Sequence, residues 1–250
     1  MKLVILAGGL GTRISEETKT IPKPMVLLDE YPIIVHIMRY YSYFNVKEFI
    51  ICTGYKHEII NKYFKKNNFI DWKIKLVFTG IKSNTGKRIL KIKKYLKKDE
   101  NFFVTYGDGL SNINLSKLKD IHLKTNKVIT VSVVRPLPRF GKVKFYKNGY
   151  IKSFEEKKKS DDWISGGFFV FNKKIFSFMK NKNKNYILEK DVIPKVVKKK
   201  MAVFFKHSKF WQCMDTLREK YFFQNLLKLN KAPWIKKNKN LDFHLLKPRR

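Results

Sequence analysis

Two stretches of this sequence set charged side chains beside glycines in a pattern suited to phosphate chemistry. The first reads Leu6-Ala7-Gly8-Gly9-Leu10-Gly11-Thr12-Arg13 and follows directly on an apolar run, Leu3 to Ala7. Glycines placed just after a buried strand let backbone N–H groups approach a phosphate with no side chain in the way. The loop is not a Walker loop, because no Gly-Lys-Ser/Thr follows, and its glycine spacing is not that of the dinucleotide fingerprint. Downstream, Lys19 to Met25 reads Lys-Thr-Ile-Pro-Lys-Pro-Met. Pro22 and Pro24 restrict the backbone on both sides of Lys23 and pre-aim its ammonium. Arg13 stands where a guanidinium could grip a departing phosphate group. Arg13 and Lys23 are therefore the candidate catalytic cations.

The second stretch contributes acids. Asp108 lies in Thr105-Tyr106-Gly107-Asp108-Gly109, at the end of the apolar run Phe102 to Thr105. The carboxyl ends of parallel strands are where open α/β sheets place their ligands. Asp215 lies in Phe210-Trp211-Gln212-Cys213-Met214-Asp215-Thr216, just before a stretch of helical spacing. From spacing alone two readings stay open for Asp215: a helix N-cap, a role Asp fills often, or a metal ligand.

These residues need a scaffold, and the hydrophobic pattern supplies one. Leu3 to Ala7, Phe49 to Thr53, Ile74 to Thr79 and Phe102 to Thr105 read as buried strands. Apolar residues at helical spacing separate them: Ile33, Ile34, Ile37, Met38 and Tyr41, then Ile59, Ile60, Tyr63 and Phe64, then about Gly86 to Leu96. Strand alternating with helix predicts an α/β fold with a mostly parallel, Rossmann-like mixed sheet and helices on both faces. After the strand Val128 to Val134 the rhythm changes. Lys142–Tyr146, Tyr150–Phe154 and Ile164–Phe171 are closely spaced strands joined by turns such as Asn148-Gly149, which predicts a small β-rich insertion. Helical segments follow near Ile187–Val197 and Thr216–Leu229. The reading is one domain over 1–235, in two halves at 1–134 and 135–235. The stretch 236–250 is expected to be a basic, flexible tail.

Charge is the outlier among the bulk properties. The 250 residues carry 55 Lys+Arg against 20 Asp+Glu, a formal net charge of +35, with 44% apolar and 15% aromatic residues. Nucleic acid is the first partner to test against such a charge. Arg, the residue suited to bidentate phosphate and base-edge contacts, is scarce beside Lys. The lysines are also spread along the whole chain rather than gathered in one stripe. Both facts argue against nucleic acid and for Lys- and Asn-heavy solvated faces. Cys52 and Cys213 are the only cysteines, with no Cys-x-x-Cys or Cys/His cluster, which argues against a disulfide scaffold or zinc site. No stretch approaches the roughly 20 apolar residues of a membrane span. The expectation is a cytoplasmic protein with no membrane partner.

The loop Ala7 to Arg13 followed by Pro22-Lys23-Pro24-Met25 resembles the opening of the sugar-phosphate nucleotidyltransferase family. Tyr106-Gly107-Asp108-Gly109, Arg139-Phe140-Gly141, Trp163 to Val170 and Phe210 to Arg218 then occur in the order found in the branch that makes CDP-glucose from CTP and glucose 1-phosphate. The resemblance runs from Met1 to about Trp234. It implies that Leu6, Ala7, Gly8, Gly9, Gly11, Thr12, Arg13, Lys23, Ser83, Gly86 and Arg88 bind the nucleotide. It implies likewise that Gly141, Lys157, Gly166 and Gly167 bind the sugar phosphate, and that Asp108 and Asp215 hold Mg²⁺, an ion that carboxylates and phosphate oxygens suit. A homo-oligomer is expected. Four departures from the family pattern stand out: a shortened stretch between Phe64 and Trp72, Ser165 where Asn is usual beside the sugar, and Lys158 and Cys213 each in place of a Pro.

The implied reaction is in-line attack of a sugar phosphate oxygen on the α-phosphorus of CTP, with loss of pyrophosphate. A phosphate monoester, with a second pKa of about 6, arrives already ionised and needs no general base. It needs charge neutralisation and alignment. The sequence accordingly offers no Ser/His/Asp or Cys/His constellation, and His36, His57, His122, His207 and His244 read as structural or surface residues.

Overall fold

The computed structural model describes residues 1–136, 140–156, 162–235 and 246–248. Its centre is a seven-stranded sheet formed by β1 (Leu3–Ala7), β2 (Glu48–Thr53), β3 (Lys73–Phe78), β4 (Asn101–Tyr106), β6 (Ile129–Val134), β9 (Ile164–Asn172) and β10 (Ala202–His207). The order across the sheet is β10-β6-β9-β4-β1-β2-β3. β1 lies parallel to both β2 and β4, β2 to β3, and β10 to β6. β9 alone runs antiparallel, between β4 and β6. The expected mostly parallel mixed sheet is thus present. β9 and β10 come from the second half of the chain, so both halves build one sheet.

The apolar runs are continuous because both faces of the sheet are covered. Leu3, Ile5, Phe49, Ile51, Phe103 and Phe168 enter one core, against α1 (Ile33–Ser42), α4 (Leu115–Thr125) and α6 (Leu217–Lys228). Their neighbours Val4, Leu6, Ile50, Cys52, Phe102 and Phe169 enter the other. That second layer is built from α3 (Thr85–Lys91), the turns Lys93–Leu96 and Lys173–Phe178, the π-helical turn Leu188–Val192 and α5 (Ile193–Lys198). α2 (His57–Lys66) packs Ile60 into the first core. No helix among the described residues is long and apolar enough to cross a membrane.

Among the described residues four two-stranded ladders lie outside the sheet, one of them the short pairing of Leu27–Leu28 with Tyr31–Pro32. β7 (Lys142–Phe145) and β8 (Ile151–Glu155) form an antiparallel hairpin that leaves Phe145, Tyr150, Ile151 and Phe154 exposed. β5 (Gly109–Ser111) pairs antiparallel with β11 (Trp211–Cys213). The expected insertion is therefore the β7–β8 hairpin alone, since Ile164–Asn172 joins the main sheet. Of the expected tail only Leu246–Pro248 is described, as a strand antiparallel to Asn67–Phe69. Residues 236–245 and 249–250 lie outside the described residues.

Candidate active site

The glycine loop leaves β1 at its carboxyl end and turns over a buried guanidinium. Arg88, 4% exposed on α3, donates through Nη2 to the Gly8 carbonyl at 2.7 Å. Through Nη1 it donates to Thr53 O at 3.1 Å, Thr79 Oγ1 at 2.6 Å and Gly80 O at 2.9 Å. One side chain thereby ties together the ends of β1, β2 and β3. The approach is so close that a Cβ on Gly8 would lie 2.2 Å from Arg88 Nη1, so any side chain there would displace the guanidinium from its hydrogen bonds. Gly11 carries the loop through a left-handed φ of +68°, and Thr18 Oγ1 secures it with a 3.0 Å hydrogen bond to Gly11 O.

A cleft of about 390 Å³ opens over this loop. Leu6, Ala7, Gly8, Gly9, Gly11, Thr12, Lys23, Ser83 and Arg88 all line it. Gly86, named with them from sequence, is placed elsewhere: it is buried in α3, where an added Cβ would come within 2.9 Å of Tyr186 Cβ and 3.0 Å of its carbonyl. Its small size serves packing of α3 against Tyr186. The Arg13 backbone continues the loop in a short 3-10 turn, Thr12–Ile14.

Lys23 is the centre of the site. It opens a one-turn 3-10 helix, Lys23–Met25, set by Pro22 at φ −71° and closed by Met25 N donating to Pro22 O at 2.7 Å. The side chain is 7% exposed. Its ammonium donates to Asp108 Oδ2 at 2.7 Å and to Asp215 Oδ1 at 2.6 Å. Burial works to lower the Lys23 pKa, but the charges and hydrogen bonds of Asp108 and Asp215 outweigh it and hold the pKa above its usual value. Two carboxylates far apart in sequence are thus fastened on one cation.

The β5–β11 ladder explains how they meet. Gly109 pairs with Cys213, Leu110 with Gln212 and Ser111 with Trp211. Asp108 immediately precedes one strand, and Asp215 follows soon after the other. Met214 N donates to Asp108 O at 2.8 Å and closes the end of the ladder. The N-cap reading of Asp215 is resolved here as well. Thr216 caps α6, in a capping box with Glu219, whose carboxylate accepts from Thr216 N at 2.6 Å. Asp215 is 5% exposed and is left to face Lys23. Cys213 Sγ donates to its second oxygen, Oδ2, at 3.3 Å. Burial, reinforced by the Asp215 charge, pushes that thiol up to about 12, so it stays protonated and a donor.

A second cleft of about 260 Å³ lies on the far side of Asp108. Ser165, Gly166, Gly167, Phe168, Trp211, Cys213 and Asp215 line it, with Thr105, Tyr106, Asp108 and Gly109. Gly166 and Gly167 reach it because β9 is irregular in its pairing with β6 between Ser165 and Phe169, a bulge that turns backbone out of the ladder. Trp211 Nε1 donates to Gly166 O at 2.7 Å and fixes that wall. Gly141 does not line this cleft; it packs in the β7–β8 region, where an added Cβ would lie 2.7 Å from Phe154 Cζ. Lys157 and Arg139 lie outside the described residues.

Tyr106 and Asp108 line both clefts, so the two hollows share a wall. Tyr106 OH donates to Glu189 Oε1. Thr85 Oγ1 donates to Glu189 Oε2 at 2.8 Å and accepts from Leu188 N at 2.9 Å. Sequence reading missed Tyr106, Thr85, Asn84, Trp211 and Glu189. The position of Tyr106 two residues before Asp108 was the available signal for one of them, whereas Glu189 carries no local pattern.

Asp108 and Asp215 converge on a single positive charge, and both present oxygens to it. That donor set fits a hard divalent cation completed by phosphate oxygens. Among the described residues no group of three or more His, Cys, Asp or Glu side chains could hold a metal, so any ion here would rest on these two carboxylates and its substrates.

The sheet, the glycine loop and the clasped lysine together define a nucleotidyl transferase, and the family model of that description matches residues 2–219. The chain belongs to this family. It is 39% identical, over 94% of its length and 98% of the other, to the glucose-1-phosphate cytidylyltransferase of Salmonella typhimurium. It is 38% identical, over 92% of its length and 95% of the other, to the probable glucose-1-phosphate cytidylyltransferase of Bacillus subtilis. Its fold is that of the crystal structure of HddC from Yersinia pseudotuberculosis, with a TM-score of 0.70 and 24% identity over 90% of this chain and 99% of that one.

Proposed function

We propose that this chain transfers the cytidylyl group of CTP to glucose 1-phosphate, releasing pyrophosphate. The observation that carries the reading is the clasp of Lys23 by Asp108 and Asp215 at the wall between two clefts. The glycine-loop cleft takes the triphosphate, against backbone N–H groups and Lys23. The cleft lined by Ser165, Gly166 and Gly167 takes the sugar phosphate. The attacking oxygen and the α-phosphorus then meet near Asp108.

Asp108 and Asp215 are the residues that would hold Mg²⁺, which supplies neutralisation of phosphate charge when bound. Lys23 adds a buried positive charge at the same wall, where low dielectric strengthens its pull on phosphate oxygens. Tyr106, held by Glu189, keeps the two substrates apart except at the reacting atoms. The nucleophile is already ionised near neutral pH, so charge neutralisation and alignment are what the site must supply. His36, His122 and His207 are engaged by Leu28 O, by Thr130 and Asn101, and by Ser111. Charged small-molecule substrates and two free cysteines fit a cytoplasmic enzyme.

A panel of nucleoside triphosphates against several sugar 1-phosphates, read by pyrophosphate release, tests the reading. CTP with glucose 1-phosphate should give the highest kcat/KM. A higher value for another pair would reassign the substrates, with Ser165 the first residue to examine. No release from any pair would end the enzymatic reading.

A further inference from the structure

A hollow of about 870 Å³ lies beside α3 and shares no lining residue with either cleft of the active site. Two chain-distant regions form it: α3 with the turn that follows, and the segment that begins at Lys173. Leu90, Leu96, Phe176 and Met179 floor it, and the wall carries eight lysines and no acidic residue.

Some of these lysines are already engaged. Lys87 donates to Lys182 O, and Lys91 donates to Thr79 O at 2.7 Å. Lys173 pairs with Glu100 at 2.5 Å, outside the lining. Lys93 stands 5.6 Å from the centroid of the Phe176 ring. The ammonium groups of Lys97, Lys180 and Lys182 have no hydrogen bond or ion pair among the described residues. Like charges gathered in a concavity focus a positive potential into it. The aliphatic stems supply apolar walls while the charged heads stay at the rim. Such a hollow suits a ligand with several negative charges. Lysine heads act on phosphate as point charges, without the planar geometry that a carboxylate fork favours.

We propose that this hollow is a second anion site, for a multiply charged phosphate compound, separate from the active site. α3 connects the two. The same helix carries Arg88, which holds the Gly8 carbonyl of the glycine loop.

The competing explanation is that the +35 chain attracts any polyanion diffusely. Calorimetric titration of the full chain with inorganic tripolyphosphate separates the two when paired with matched charge reversals. In one variant Lys93, Lys97 and Lys180 become Glu; in a control Lys117, Lys124 and Lys147, exposed elsewhere, become Glu. Both lose the same net charge. Wild type should bind tripolyphosphate at two sites, one in the glycine-loop cleft and one in the hollow. The hollow variant should keep only the first, and the control should keep both. Equal weakening in the two variants, or a single wild-type site abolished by Lys23→Met, would overturn the proposal. Should the triple reversal fail to fold by circular dichroism, the milder Lys97→Ala/Lys180→Ala pair should weaken the second site about fivefold, the worth of two exposed ion pairs. Unchanged binding in that pair would be equally fatal.

Discussion

The two clefts that meet at Asp108 are built in opposite ways. The glycine-loop cleft is made by segments that each carry a recognisable local pattern, and one buried side chain, Arg88, fastens three strand ends beneath it. The sugar-side cleft has no such staple. It is assembled from β4, the irregular stretch of β9 and the β5–β11 ladder, and its wall is held by separate hydrogen bonds, Trp211 Nε1 to Gly166 O and Phe168 N to Ser132 Oγ among them. A site whose segments share one buried staple is held as a unit. A site assembled across the chain is only as firm as the pairing that assembles it.

The shared wall gives the largest test of that contrast. Asp215→Asn removes a charge from the point where both clefts meet and leaves the loop and Arg88 untouched. Turnover should fall about a thousandfold, in the range seen when a preorganised electrostatic group is removed, while circular dichroism and CTP binding to the loop persist. A variant that loses CTP binding as severely as turnover would mean the clefts are not independent.

Next comes the staple. Arg88→Met removes the donor shared by the carbonyls of Gly8, Thr53 and Gly80, which keep only the backbone N–H groups of Tyr55, Thr79 and Ser83 and the Thr79 hydroxyl. Urea unfolding should show a loss of about 1–2 kcal/mol, the scale for hydrogen bonds from a charged donor whose acceptors stay otherwise paired. KM for the nucleotide should rise while KM for the sugar phosphate holds. Trp211→Phe is the mirror experiment. It keeps an aromatic ring, though a smaller one, and deletes the donor to Gly166 O, which should cost about 1 kcal/mol and raise KM for the sugar phosphate with little change for CTP. If both variants raise both constants alike, the division into two clefts is wrong.

The same contrast explains what could be read from the sequence. The strands were legible because each core face takes alternate residues of a continuous apolar run, so Val4 and Ile5 both had to be apolar. Lys23 was legible from its flanking prolines. Gly86 and Arg88 lie in one motif, yet only Arg88 reaches the cleft, because helix geometry turns neighbours to different sides. Gly141 was assigned to the sugar through its motif, whereas the β7–β8 hairpin keeps it against Phe154. Glu189 could not be found at all. Its contacts with Thr85 and Tyr106 exist only after α3, β4 and the π-helical turn have packed together, and no spacing in the chain encodes that meeting.

Asp215 and Thr216 stand side by side, and the sequence left open which of them serves the helix. The capping box assigns that duty to Thr216, through its reciprocal bonds with Glu219. Thr216→Ala should therefore lower stability by about 1 kcal/mol, the usual worth of an N-cap, measured by urea denaturation, with kcat unchanged. Asp215→Asn should do the reverse, with the same roughly thousandfold fall in turnover and the α6 cap intact, because Asn keeps the shape of Asp but cannot carry its charge. Matching losses of turnover in the two variants would show that α6 must be capped for Asp215 to reach Lys23, and the ladder alone would no longer suffice to place it.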